Sequence, residues 1–183
     1  DATSILENAE QSIYNIRQGR ESNGPAKVSE VIVNDVYTKL AQITGDDKEK
    51  YKGIPSGFGM LDKMLTGLNK GNLILIGARP AMGKTSFALN LAQNITMGAR
   101  KKCIVFSLEM QKTELAERLL SSQAGVESQK LKTGELTDDE WVRLGNAAAT
   151  YNDVELYLDD TSAITVPEIK SRVRRMRGVD CII

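Results

Sequence analysis

Leu73-Ile74-Leu75-Ile76-Gly77-Ala78-Arg79-Pro80-Ala81-Met82-Gly83-Lys84-Thr85-Ser86 runs from an aliphatic segment through a glycine-bearing loop into Gly-Lys-Thr-Ser. That is the strand, loop and helix order of a Walker A motif. The first motif position is Ala78, with the glycine one residue early at Gly77. Such a loop must turn successive backbone N–H groups inward around a β-phosphate, at the positive end of the following helix. Gly83 has no side chain to block the approach. Lys84 brings an ammonium between the β- and γ-phosphates, and the Thr85 hydroxyl is a Mg²⁺ ligand. A match to this pattern arises by chance in roughly one or two of a hundred chains of this length, and the flanking strand and helix lower that further. The expected nucleotide-binding residues are Ala78, Arg79, Pro80, Ala81, Met82, Gly83, Lys84, Thr85 and Ser86, with Thr85 also the metal ligand.

Downstream of Gly53, strand and helix patterns alternate, which predicts an α/β domain with a mostly parallel sheet. A buried strand is expected over residues 72–77 and further strands over 102–108 and 154–158, with a last one opening at Cys181-Ile182-Ile183. A helix over 84–97 is closed by Gly98 at its C′ position. A helix over 112–123 turns Leu115, Leu119 and Leu120 inward and ends at Gly125. Thr137-x-x-Glu140 caps a helix bearing Trp141, Leu144, Ala148 and Tyr151. Thr165-x-x-Glu168 caps a basic helix with Val166, Ile169, Val173 and Met176 on its apolar face.

A P-loop binds phosphates without choosing the reaction, so hydrolysis needs a residue that orients water. Glu109 sits just past the 102–108 strand, where parallel strands deliver side chains to the edge that carries the P-loop. A solvated carboxylate at a strand end is the alternative. Asp159 and Asp160 follow an apolar run as a Walker B acid does, but two acids at a strand end also cap turns. Lys170, Arg172, Arg174, Arg175 and Arg177 form a basic helix that either contacts phosphates of DNA or is a solvated face offset by Glu168 and Asp180.

Upstream, Ser4-x-x-Glu7 with Ile5, Ala9, Ile13 and Ile16 predicts a short amphipathic helix ending before Gly19. Residues 18–27 read as a flexible linker. A second helix is expected from Ser29 to Ile43, its stripe formed by Ile32, Val36, Leu40 and Ile43 and widened by Val33 and Tyr37. Polar residues 45–52 follow. These short helices must bury their stripes on their own domain or on a neighbour.

The chain has 183 residues, 41% of them hydrophobic and 26% charged, within the range of an ordinary globular domain. Its aliphatic runs are strand-sized, far short of a bilayer span. With no secretory signal and an N-terminus at Asp1, the expectation is a cytoplasmic fragment. The absence of histidine excludes Ser-His-Asp and Cys-His catalysis and most zinc sites. Cys103 and Cys181 are expected as free thiols in apolar strands. The formal charge is zero, so the whole chain lacks the basic footprint of a strong nucleic-acid binder.

Several segments together resemble the bacterial replicative DNA helicases of the DnaB type. They are Gly57-Phe58 with Leu61-Asp62 and Gly67-Leu68, then Ala78 to Thr85, Phe106-Ser107-Leu108-Glu109-Met110, and Leu158-Asp159-Asp160 with the Arg-rich helix. Ala78 at the first P-loop position is that family's habit. The resemblance implies a RecA-like P-loop core with an incomplete sheet, working as a hexameric ring that couples ATP and Mg²⁺ to translocation on single-stranded DNA. It makes Glu109 and Lys84 the catalytic residues, and places the Walker B aspartate after the strand that begins at Cys181, so that Asp159 and Asp160 are not metal ligands. It implies a helix and flexible linker over 1–27, a linker helix over 28–52 that docks on an adjacent subunit, and the N-terminal part of the motor over 53–183. The DNA loops and arginine finger are expected beyond Ile183, with a primase and a helicase loader as partners and no membrane. A RecA-like recombinase or other P-loop ATPase is the competing enzyme reading. In another class, the chain as given is only a nucleotide-binding and subunit-docking module.

Overall fold

The computed structural model describes residues 25–44 and 52–183, and the chain divides into two units, Asp1–Tyr51 and Lys52–Ile183. The helix expected from Ser4 and the linker from 18 to 24 lie outside the described residues. In the first unit, α1 (Val28–Val31) and α2 (Tyr37–Thr44) are joined by a π-helical segment, Ile32–Val36. The expected helix is there, but its spacing gives no sign of the π turn. Val28, Ile32, Val33, Val36, Tyr37 and Leu40 are all exposed.

In the second unit, β1 (Cys103–Phe106) is the centre of a three-stranded sheet, between β2 (Leu156–Asp159) and β3 (Cys181–Ile182). Both pairings are parallel, with Cys103 opposite Leu156 and Cys181, and Phe106 opposite Asp159. Cys103, Ile104 and Val105 are buried, as a parallel strand covered on both faces requires. The helices are α3 (Gly59–Leu65), α4 (Lys84–Gln93), α5 (Lys112–Ala124), α6 (Ser128–Thr133), α7 (Asp138–Thr150) and α8 (Val166–Met176). Leu91, Ala92 and Ile95 pack on Cys103 and Val105, joined by Ile54, Phe58 and Ile76. Leu89 packs with Leu115 and Leu119. A further cluster of Ala124, Val126, Leu144 and Ala147 lies under α5 and α7.

The segment from Gly53 to Leu68 fastens onto α4. Ile54 and Leu68 exchange two backbone hydrogen bonds, at 2.9 and 2.7 Å. Gly67 has φ +79°, and a Cβ there would lie 2.5 Å from the Gly53 carbonyl oxygen. Only glycine fits so close a crossing. The buried Ser56 donates its N–H to Asp62 Oδ1 at 2.7 Å, and its carbonyl accepts from Asn94 Nδ2 at 3.0 Å. Phe58 stacks on Phe87 of α4 with centroids 5.0 Å apart.

Four expectations need correction. Residues 72–77 are not a strand. Leu73 and Leu75 are 96% and 93% exposed while Ile76 packs on the core, so the alternation is strand-like. No backbone hydrogen bond joins residues 73–78 to another described segment, and without a ladder there is no strand. Second, Gly98 does not close the 84–97 helix. It falls inside a π-helical turn, Asn94–Gly98, capped at Ala99, and the chain reverses at Arg100 with φ +51°. Third, the apolar stripe of α7, Trp141, Leu144, Ala148 and Tyr151, is only in part its inward face. Glu140, Leu144 and Ala147 are buried while Trp141 is 61% exposed and Ala148 is also exposed. The capping box with Thr137 points Glu140 inward, where Lys130 Nζ meets its Oε1 at 2.6 Å. Fourth, Val166 of α8 is exposed and Arg172 takes an inward position beside Ile169, Val173 and Met176. Beyond these, α3 and α6 are helices of seven and six residues that no periodicity announces, because short helices show too few turns to establish one.

Cys103 and Cys181 are free thiols. Cys103 is hydrogen-bonded to Cys181 and buried, which raises its pKa.

The Lys130 hydrogen bond, with the Thr137 N–H behind it, holds the Glu140 carboxyl down to about 2, against an ordinary value of about 4.3. A depressed carboxylate adds stability above its unfolded pKa and loses it as pH falls toward the folded value. Glu140→Gln is therefore expected to melt below the native chain at pH 7, with the gap closing between about pH 4.5 and 2. Thermal melts across that range measure it, and a gap independent of pH would contradict the ion pair's role.

Candidate nucleotide-binding site

The loop that precedes α4 has the backbone form of an anion cradle. Gly83, the N-cap, is left-handed at φ +82° and ψ +20°, and Ala81 also has positive φ, +63°. Nothing lies within 4 Å of where a Gly83 Cβ would be, so its conformation, not crowding, calls for glycine. Being glycine, Gly83 offers no side-chain cap, and the first helical bond is Phe87 N–H to the Gly83 carbonyl at 2.9 Å. The N–H groups of Lys84, Thr85 and Ser86 are consequently free of described backbone partners. Unsatisfied N–H groups at a helix start carry the positive end of its dipole. Lys84 is exposed and forms no ion pair with a described residue. Ala78, Arg79, Pro80, Ala81 and Met82 are exposed, and Thr85 is half-buried.

Topology sets this loop beside Glu109. The turn after α4 leads directly into β1, with Lys101 N–H donating to the Ile95 carbonyl at 3.1 Å. Since α4 packs along the sheet, it runs back against β1, and its first turn lies at the edge where β1 ends. Glu109 leaves β1 at that edge in a turn pinned by Ser107, whose Oγ lies 2.7 Å from the Met110 carbonyl and 3.1 Å from the Met110 N–H. Glu109 itself is exposed and makes no hydrogen bond or ion pair with Lys84. The structure thus brings loop and glutamate to one edge without joining them.

Asp159 and Asp160 share the edge but are already engaged. Asp159 pairs with Arg172 and accepts from the Thr161 N–H at 3.0 Å and hydroxyl at 2.7 Å. Burial pushes its carboxyl up, but Arg172 and Thr161 outweigh it and hold it below the ordinary value. Asp160 Oδ2 accepts from the Lys112 N–H at 3.0 Å, capping α5 from a different strand, and that bond lowers its pKa. Both acids bind the scaffold. Among the described residues no group of three or more His, Cys, Asp or Glu could hold a metal ion. The available donor set is the Thr85 hydroxyl beside free N–H groups. It fits Mg²⁺, which keeps several waters and takes one or two protein ligands with substrate phosphates.

The profile of the DnaB-like helicase C terminal domain matches residues 53–183, the span that carries this edge. The chain belongs to that family. It is 34% identical over 173 residues to the replicative DNA helicase DnaB of Geobacillus stearothermophilus, covering 94% of this chain and 38% of that protein. To the replicative DNA helicase DnaB of a Nostoc species it is 36% identical over 174 residues, covering 95% of this chain and 20% of the relative. The chain therefore spans well under half the length of these relatives. Among solved structures, an isolated ATPase domain superposes with a TM-score of 0.73 at 30% identity, over 87% of this chain and 56% of that one. A DnaB-like replicative helicase, described with its interactions with primase, superposes at 0.75 and 28% identity, over 99% of this chain and 45% of that one. The helices and parallel sheet of the second unit are the RecA-like core of these DnaB-like helicases, and the family's members use nucleotide.

Reading the residues alone misses the supports of the site. The Phe58–Phe87 stack and the Asn94–Ser56 bond tie the leading segment to α4 and the turn that follows it, but these partners are distant in sequence. The Ser107 turn does have a local signal, a serine at a strand end, where hydroxyl-to-backbone turns are favoured.

If the two aspartates are scaffold groups, Asp160→Ala should cost about 1 kcal/mol through the lost cap and leave nucleotide affinity unchanged. Paired denaturation and fluorescent-nucleotide titrations test this. A Mg²⁺-dependent loss of affinity without loss of stability would instead make Asp160 a metal-site residue.

Proposed function

We propose that this chain is the ATP-binding part of a cytoplasmic replicative DNA helicase, in which ATP hydrolysis drives translocation on single-stranded DNA by a hexameric ring. The observation that carries the reading is the uncapped start of α4, with its first N–H groups and Lys84 unpaired among the described residues, at the same sheet edge as Glu109. The loop Ala78 to Gly83 wraps the phosphates, and the N–H groups of Lys84, Thr85 and Ser86 donate to them. Lys84 neutralises the β- and γ-phosphates. The Thr85 hydroxyl would ligate Mg²⁺, which when bound would supply positive charge to offset the negative charge developing in the reaction. Glu109, exposed and held by the Ser107 turn, orients the attacking water and takes its proton. The role of the 28–44 helix follows from its exposed apolar stripe: it docks on an adjacent subunit. A primase and a helicase loader are partners of the assembled protein, as the relative described with primase suggests.

Lys84→Ala removes a charged hydrogen-bond donor worth about 1.5–3 kcal/mol, so ATP affinity should fall about 10- to 150-fold. Glu109→Gln should leave affinity intact and lower hydrolysis by about 10²–10⁴-fold. Nucleotide titration and phosphate release separate the two. Equal hydrolysis by Glu109→Gln and the native chain would remove Glu109 from the mechanism.

For the helix, Ile32→Asp with Leu40→Asp should abolish self-association without changing the melting of the second unit. Sedimentation velocity reads the first and thermal melting the second. An unchanged sedimentation profile of a self-associating chain would count against docking.

A further inference from the structure

α8 presents a basic face that the nucleotide site does not use. Thr165–Gly178 carries five basic side chains and one acidic, a net charge of +4 in a chain whose total is zero. The structure separates these five. Arg172 is turned inward and committed to Asp159 and Thr161. Glu168, the single acid, is committed to the capping box, accepting from the Thr165 N–H at 2.8 Å. Lys170, Arg174, Arg175 and Arg177 remain, all exposed, and none forms an ion pair with a described residue. With Pro167 and Ser171 they line one surface depression.

The helix fixes how these charges are arrayed. Lys170 and Arg174 are four residues apart, which puts them on one stripe of α8 at a rise of about 6 Å, and Arg177, the C-cap at φ +46°, lines the same depression. Arg175 and Ser171 flank the stripe, with Arg175 Nη2 donating to the Ser171 hydroxyl at 3.0 Å. Compensation of the helix dipole accounts for cations in the last turn only, and leaves Lys170 unexplained. A face selected for solubility alone mixes both signs, and this one does not.

The chemistry selects the ligand. Three of the four cations are arginines, whose planar fork matches a phosphate. No aromatic or large aliphatic side chain lines the depression, so it has neither the apolar anchor of a protein interface nor a platform for stacking bases. What remains is grip on a repeating anion by charge. We propose that Lys170, Arg174, Arg175 and Arg177 form a contact surface for the phosphodiester backbone of nucleic acid, without base recognition. The surface stands apart from the P-loop: α8 starts after β2 and ends before β3, and the Arg177 carbonyl at its end accepts from Lys102 Nζ at 3.4 Å. Lys102 precedes β1, so the basic end lies at the sheet edge opposite Glu109. The proposal rests on the helicase reading only in taking nucleic acid as the chain's substrate.

Titrate the 183-residue chain and the variant Lys170→Gln/Arg174→Gln/Arg175→Gln/Arg177→Gln with a labelled oligothymidine and with a duplex of equal length, from 50 to 200 mM salt. Follow nucleotide binding and thermal melting in the same samples. The native chain should bind both ligands. Four phosphate contacts predict a slope of log affinity on log salt near −3 for the single strand, about a fifty-fold loss across that range. The variant should lose most of that affinity and slope, with melting and nucleotide binding unchanged. Preference for single strand or duplex identifies the source of the backbone. Equal binding by variant and native chain, no binding by the native chain, or tighter binding to polyglutamate than to either oligonucleotide would overturn the proposal. Failure of nucleotide binding with the variant's loss of oligonucleotide binding intact would count against the ATP reading and leave the basic surface standing.

Discussion

β1 is flanked on both sides by parallel strands, and that arrangement fixes where every polar group of the site can be. Its register places Phe106 against Asp159, and the Ser107 N–H continues the ladder to the Asp159 carbonyl at 2.8 Å. Two strands thereby end level. From that shared end leave the Glu109 turn, the Asp160 cap on α5 and the Asp159–Arg172 pair on α8. Slipping β2 by a single residue would reverse which of its side chains face the core and uncouple Asp160 from Lys112. The apolar faces of β1 enforce the register, since Cys103, Ile104 and Val105 have no exposed side to turn to.

The same constraint explains a division of labour among carboxylates. Asp159, Asp160, Glu140 and Glu168 each accept backbone or cationic donors that lower their pKa values. Each is held in its ionised form by the fold and contributes to the fold in return. Glu109 leaves the same sheet edge as Asp159 and Asp160 and is committed to no described residue. A carboxylate with vacant acceptor sites, presented on a turn braced by a neighbouring serine, can receive a proton from a water or orient it. One with its lone pairs already satisfied would have to break the scaffold first.

How far the fold and the site are legible in the sequence depends on whether a feature is local. The loop-to-helix step at Gly83-Lys84, the two capping boxes at Thr137 and Thr165, the Gly125 end of α5 and the strand ahead of Glu109 are written in contiguous residues, and the structure holds all of them. An apolar count misplaces the inward face of α7 because it favours Trp141 over Glu140. The decisive partner, Lys130, lies on a six-residue helix with too few turns to be seen. The 72–77 segment shows the converse. Its alternation is correct for a strand, but a strand also requires a neighbour, and neighbours are not a property of the segment itself.

Charge shows most plainly what a whole-chain average hides. A formal charge of zero suggests a surface indifferent to polyanions, yet the basic and acidic residues are not spent alike. Arg172 is half-buried against Asp159, and the exposed Glu168 is tied into the capping box of α8. Lys170, Arg174, Arg175 and Arg177 stand together without an ion pair to any described residue, while nearby acids are engaged in caps and ion pairs. Within a Debye length of about 8 Å at physiological salt, an approaching ligand meets that patch and not the average. Local potential therefore decides which ligands the chain meets, and it is set by which side chains the fold has already used.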